Sequence, residues 1–259
     1  MKRIIFTLFL LLSISKGYSQ INNNPFDRLS KSLFENELLS NRFLRNFVLI
    51  KTNTYKKRAL IDMDQSLAKF DDNLSYIILH LPKDKSIEED FMKLQNLWNV
   101  YRIQISGYEK SNYSSLVRKT KKLEELLVSL RRDILEEHNS YGRNSNTIKP
   151  VLLMIDNAKK IDKLLIYYIL SNGLKAQNIP SYKDIDFSDF YKNLKKISKY
   201  KYKTKDTNEI ITDLGSSLKM MESLVNKAGY KPKMLFSDAN NYSKKTFLLL
   251  TRFMSTIKN

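Results

Sequence analysis

Residues 60–108 read LIDMDQSLAKFDDNLSYIILHLPKDKSIEEDFMKLQNLWNVYRIQISGY, and their spacing decides the fold. Leu60, Met63, Leu67, Phe70, Leu74, Ile77 and Leu81 alternate three and four residues apart. That rhythm gathers apolar groups on one face of a helix and is wrong for a strand. Pro82-Lys83-Asp84-Lys85 then breaks the run. Ser86-Ile87-Glu88-Glu89 has the form of a capping box, in which the Ser and Glu side chains satisfy each other's free backbone N–H groups. It predicts a new helix presenting Ile87, Phe91, Leu94, Trp98, Tyr101, Ile105 and Tyr108.

The same rhythm extends in both directions. Before it, residues 26–51 predict a first helix with Leu29, Leu33, Asn36, Ser40, Phe43, Phe47 and Ile50 along its seam. After it, Leu116, Leu123, Leu127, Leu130 and Ile134 mark a fourth. The polar stretch 140–146, containing Gly142, is the expected linker, and the pattern then restarts. A fifth helix carries Val151, Met154, Ala158, Ile161, Leu165 and Tyr168, and a loop around Pro180 follows. Phe190, Leu194 and Ile197 mark a sixth, Ile211 to Val225 a seventh, and residues 234–256 an eighth. The expectation is an all-α protein of two tandem up-and-down four-helix bundles, at 20–139 and 147–259. The halves match in sequence. Phe70 and Leu74 recur 120 residues on as Phe190 and Leu194; Leu94 and Trp98 recur as Leu214 and Leu218; Leu116 matches Leu235 at 119, and Phe47 matches Leu165 at 118.

Residues 1–19 have the parts of a secretory signal: Lys2 and Arg3, an apolar stretch from Ile4 to Leu12, and small residues at Gly17 and Ser19. The apolar run is shorter than the roughly 20 residues a membrane helix needs. Cleavage after Ser19 and a periplasmic or secreted location are therefore expected, with no integral membrane span left; the alternative is that the segment is retained as an anchor. The chain has no Cys, so packing alone must hold it together. Six Gly and five Pro among 259 residues favour long helices over frequent turns. The net charge is +18, and +15 without Lys2, Arg3 and Lys16. Its lysines are spread through every helix, so no nucleic-acid partner is expected. A basic surface can still dock on acidic polymers or envelope surfaces.

Leu38-Leu39-Ser40-Asn41-Arg42-Phe43 resembles the R-M-L-S-Q-R-[IM] motif that opens the N-terminal domain of type IV pilus methyl-accepting chemotaxis transducers, a domain related to those of nitrate and nitrite sensor kinases. Ala59 to Met63, Leu67 to Leu74 and Leu97-Trp98-Asn99-Val100-Tyr101-Arg102 are similar to later stretches of that family. The resemblance spans about residues 29–135, and 150–257 more weakly. It implies an extracytoplasmic sensory bundle, often dimeric, whose anion site lies where two first helices meet. The anion-binding Arg of the nitrate sensors corresponds to Glu37, and Glu35 replaces a second family Arg. A carboxylate there repels nitrate. Arg42 matches the later Arg of the motif and Arg45 lies one turn on, while Lys159, Lys160 and Lys163 hold the comparable stretch of the second half. Family members continue into a membrane helix and an output domain; this sequence ends at Asn259, which implies an accessory without its own output.

Asn36 and Ser40 interrupt an otherwise apolar seam. A buried polar group without a partner costs about 1–3 kcal/mol, so these residues either fix helix register or serve a ligand. The candidate ligand site is Asn36, Ser40, Asn41, Arg42 and Arg45, with Lys159 and Lys160 from the second half. If the first and fifth helices pack as an intrachain pseudo-dimer, Glu37 would face the lysines of the fifth helix, with Lys160 the partner to test; a homodimer is the alternative. No metal site, cofactor or catalytic group is expected. Asp62-Met63-Asp64-Gln65-Ser66 lacks the Gly and distal Glu of a calcium loop and reads as a solvated helix face, as Glu124-Glu125 does. His80 and His138 have no ligand-like neighbours. The leading expectation is a non-enzymatic binding or sensory-accessory protein with a small ligand or a receptor protein as partner. The alternative is a basic protein docking on an acidic polymer or envelope surface.

Overall fold

The computed structural model describes residues 25–137, 145–173, 181–200, 204–226 and 231–254. The expected signal segment, nearly all of the 140–146 linker, His138 and the Pro180 loop lie outside them. Among the described residues there are eight α-helices and no strand: α1 (Pro25–Lys51), α2 (Lys56–Leu79), α3 (Lys85–Ser106), α4 (Tyr113–Glu137), α5 (Ser145–Gly173), α6 (Phe187–Ser198), α7 (Lys205–Asn226) and α8 (Pro232–Met254). A single 3₁₀ turn, Tyr182–Asp184, precedes α6.

The fold is two tandem four-helix bundles. In the first, α1 packs on α2 and α4, and α3 packs on α4; in the second, α5 packs on α6 and α8, and α7 on both. The heptad residues do what their spacing demands. Met63, Phe70, Leu74 and Ile77 of α2 are buried, as are Phe91, Leu94, Trp98 and Tyr101 of α3. Their rings meet Phe43 of α1: Phe70 stacks on Trp98 at 4.0 Å, and Phe43 lies 5.2 Å from Trp98. The polar ends of those large rings find partners, since a buried N–H or O–H would otherwise be costly. Trp98 Nε1 donates to Asp71 Oδ1 at 2.8 Å, and the Tyr101 hydroxyl bonds Thr120 Oγ1 at 2.8 Å.

One cap differs from expectation. α3 begins at Lys85, and Asp84, not Ser86, is its N-cap: Asp84 Oδ1 accepts from Ile87 N at 3.0 Å. Extended backbone at Asp84 puts a charged acceptor over the first turn, and Ser86 falls inside the helix.

α1 is the centre of the molecule. From Leu29 to Ile50 every residue except Lys31 is buried, so the helix is covered on all sides and not along one stripe. The cover comes from both bundles, because α5 and α8 also pack on α1. The Arg45 guanidinium sits over Phe236 and that of Arg42 over Phe247, so α1 runs antiparallel to α8. Asn157 bonds the Tyr242 hydroxyl, and the Tyr168 hydroxyl bonds Lys231 N, so α5 also runs antiparallel to α8. α1 and α5 therefore lie parallel at the junction of the two bundles.

Candidate functional site

Helix α1 carries its polar residues on faces that other helices cover, and from Glu35 to Asn46 each has a partner, while buried Ser30 Oγ has none among the described residues. Arg45 is 0 % exposed and bridges two helices. Its Nη1 donates to Asp162 Oδ1 of α5 at 2.8 Å and its Nη2 to Asp62 Oδ2 of α2 at 2.6 Å. Asn46 adds a bond to Asp62 Oδ2 at 2.8 Å. Arg42 donates from Nη2 to Ser243 Oγ of α8 and lies 4.9 Å over the Phe247 ring. Its Nε has no hydrogen-bond partner among the described residues. Asn41 donates to Glu124 Oε1 of α4; Ser40 Oγ bonds both that atom, at 3.4 Å, and the Glu37 carbonyl, at 2.8 Å.

The electrostatics follow from two cations and two anions sharing one buried cluster. Burial lowers the affinity of Arg45 for its proton, but Asp162 and Asp62 outweigh it and hold the guanidinium charged. Arg42, with Arg45 beside it and only a hydroxyl as direct partner, is pulled down by burial. Burial pushes the Asp62 carboxyl up, but Arg45 and then Arg42 outweigh it and hold it below the ordinary carboxylate range. Asp162 is more deeply buried, and there burial wins over the same two arginines and raises it.

Three expected placements need correction. Glu37 does not face Lys160. It is fully buried against Arg131 of α4, with burial pushing its carboxyl up against the pull of Arg131 and Lys159. Lys160 turns outward to Asp156 at 2.9 Å and Asp189 at 3.9 Å, while Lys159 reaches Glu124 at 3.2 Å. Glu124 is thus no surface charge but the acceptor that ties α1 and α5 to α4. Nor is Asp62 a solvated group; Arg45 draws it inward. Five candidates (Asn36, Ser40, Asn41, Arg42 and Arg45) and Lys159 therefore belong to one polar seam between helices, and Lys160 lies apart at the α5–α6 boundary.

A repeated hydrogen bond fixes how the halves correspond. Asn73 Nδ2 donates to Asn36 Oδ1 at 2.9 Å and to Glu35 Oε2 at 3.2 Å. In the second bundle Asn193 Nδ2 donates to Asn157 Oδ1 at 2.9 Å and to Asp156 Oδ2 at 3.2 Å. The α2–α6 offset is 120, as read from the sequence, but the α1–α5 offset is 121 and not 118, so Phe47 matches Tyr168. A step of three residues keeps apolar positions on apolar positions, which is why apolar spacing alone chose the wrong register. The signal that settles it, an acid-Asn pair at 35–36 and again at 156–157, is visible in the sequence.

The same correspondence relates two clefts. Between the start of α1 and the end of α2 lies a cavity of about 390 Å³ lined by Arg28, Lys31, Lys69, Asp72 and Tyr76, with buried Ser32, Glu35 and Asn73 also in its wall. Glu35 is held by Lys69 at 3.1 Å and Lys31 at 3.7 Å, and the Arg28 guanidinium lies 4.1 Å over the Tyr76 ring. Its counterpart between α5 and α6, about 500 Å³, has Lys149, Leu152 and Leu153 where the first has Arg28, Lys31 and Ser32, and Lys196 and Lys199 where it has Tyr76 and Leu79. The first cleft is polar and carries both signs of charge. The second has an apolar floor and a basic rim. Sequence reasoning missed both, because each is built from the ends of two helices and not from one motif. Among the described residues no group of His, Asp and Glu is placed to hold a metal ion.

No protein-family model matches the chain, and no curated protein or solved structure matches it either.

Proposed function

We propose that the chain is an exported, non-enzymatic binding or sensory-accessory protein that takes a small polar ligand in the α1–α2 cleft. The observation that carries this reading is the cleft itself. It opens to solvent, yet its wall includes a carboxylate and an amide that are nearly fully buried, Glu35 and Asn73. Its volume of about 390 Å³ lies within the range of small-molecule sites. Acidic Glu35 and Asp72 opposite basic Arg28, Lys31 and Lys69 suit a molecule bearing both an anionic and a cationic group. The charged residues at the middle of α1 are a poorer ligand site, because their hydrogen-bonding capacity is largely used between helices. This reading keeps the ligand on α1 and moves it two turns towards the start of that helix. The likeness to transducer sensory domains agrees with it, as does the parallel α1–α5 pair, which would be the dimer contact of such domains made within one chain.

A thermal-shift screen against amino acids, small dicarboxylates and inorganic anions tests this, since a ligand of the native state raises Tm by mass action. The expected result is at least one shift that disappears in Arg28→Ala/Lys69→Ala with little change in unliganded Tm. Silence across the set, or a shift indifferent to that double variant, would overturn the cleft.

A second reading, a basic protein that docks on an acidic surface, is favoured by one observation: Lys56, Lys57, Arg58 and Lys233 gather at one groove with no carboxylate in its lining.

A further inference from the structure

The turn between α1 and α2 is built against steric preference. Asn53 and Tyr55 both have left-handed backbone, with φ of 54° and 57°; the second is an aromatic residue, for which that conformation is unfavourable. The result is that the Tyr55 ring is carried to the outside, 39 % exposed, and fixed there edge-on to Phe236 of α8 at 5.4 Å. Beside it opens a groove of about 770 Å³, walled by Tyr55, Lys56, Lys57, Arg58, Ile61 and Lys233. Lys233 is held over the Tyr55 ring at 5.6 Å and Lys56 over that of Tyr108 at 5.7 Å. Among the described residues no carboxylate lines this groove, so Lys56, Lys57, Arg58 and Lys233 share it without an acid.

Apolar side chains lie among these charges. Ile61, in the wall of the groove, is 41 % exposed, and Tyr55 and Leu60 line it beside the cations. Cations at the first turn of α2 also oppose the helix dipole, which favours an anion at that end.

We infer that this groove docks the protein peripherally on an anionic phospholipid surface. The inference deepens the second reading above and is independent of the α1–α2 cleft. The groove's charge asks for an anion, and its apolar side chains select the kind. An acidic polymer rewards the lysines but leaves Tyr55 and Ile61 in water. A membrane offers phosphate to the cations and the upper acyl region to the apolar groups, the combination that interfacial binding uses. Attachment is on the surface and not across it, since no helix among the described residues is long and apolar enough to cross a membrane.

Co-sedimentation of the full chain with vesicles tests this, using phosphatidylcholine with a minor fraction of phosphatidylglycerol against phosphatidylcholine alone. Four versions are compared: the unaltered chain, Lys57→Gln/Arg58→Gln, Ile61→Asn, and Lys192→Gln/Lys195→Gln as a charge-matched control on α6. Any pull from the apolar stretch Ile4–Leu12 is common to all four and cancels. The expected result is binding that needs phosphatidylglycerol, weakens about thirty-fold in the groove double variant, weakens several-fold in Ile61→Asn, and is nearly unchanged in the control. Equal losses in the two double variants would mean diffuse charge and overturn the groove. So would binding to heparin or polyphosphate with none to the vesicles, which would place an acidic polymer there instead. A thermal shift lost on mutating Arg28 and Lys69, with vesicle binding intact, separates the fate of this inference from that of the cleft.

Discussion

Arg45 shows how much one residue can depend on the rest of the chain. It is wholly buried, and its charge is tolerated because Asp162 and Asp62 grip it from two helices. Removing one partner of such a cluster leaves an uncompensated buried charge, at a cost of about 3–5 kcal/mol. Arg45→Ala is expected to lose stability on that scale in urea unfolding. In a double-mutant cycle with Asp162→Ala, the two losses should fall well short of additive. Asp62 gives the cluster a pH signature. Its carboxyl is held below the ordinary 3.8 once the arginines outweigh burial, so the stability it contributes is present above about pH 4 and is lost as acid protonates it. The stability gap between the unaltered chain and Asp62→Asn should stay flat down to about pH 4 and close below it. In the sequence Arg45 lies one turn beyond the motif that holds Arg42, but its partner Asp162 lies 117 residues away. No local pattern joins such residues, and so Arg45 could be taken for a ligand group when it is an interhelical tie.

Helices were the legible part of the sequence, because burial on one face leaves a period of three and four that the eye can count. α2, α3, α4 and α7 show it, and their apolar stripes are buried as read. α1 defeats the method. A helix covered on every side has no outer face, so Glu35, Glu37, Asn41 and Arg42 look like surface residues until the covering helices are known. The ends of helices were less legible than their middles. Asp84 caps α3 where Ser86 was expected, so Asp84→Ala should cost about 1 kcal/mol and Ser86→Ala only a few tenths, measured by thermal unfolding. The Asn ties make a matched pair. Asn73→Ala or Asn193→Ala leaves a buried amide oxygen without its donor, at about 1–3 kcal/mol. Each should destabilise the protein by a similar amount if the two bundles use the tie alike.

For the whole molecule, the decisive surface is the one between bundles. α1 meets α5 and α8 through Phe236, Phe247, Asp162 and Ser243, so neither bundle has a finished exterior of its own. A fragment ending at Glu137 would expose the Arg42–Arg45 face of α1 to water. It is expected to self-associate in light scattering and to form a one-to-one complex when mixed with a fragment beginning at Ser145. A fragment that stays monomeric and melts as the full chain does would show the junction to be unimportant. The parallel α1–α5 pair has one further result. Two identical subunits joined at such a pair must carry identical pockets, and any change in one appears in its twin. Here the two halves share a single polypeptide and need not match, and they do not: a mixed-charge cleft lies beside Glu35 and an oily, lysine-rimmed one beside Leu152 and Leu153. Placing both halves in one polypeptide frees them from the symmetry of a homodimer, so the two clefts can differ in chemistry at fixed stoichiometry.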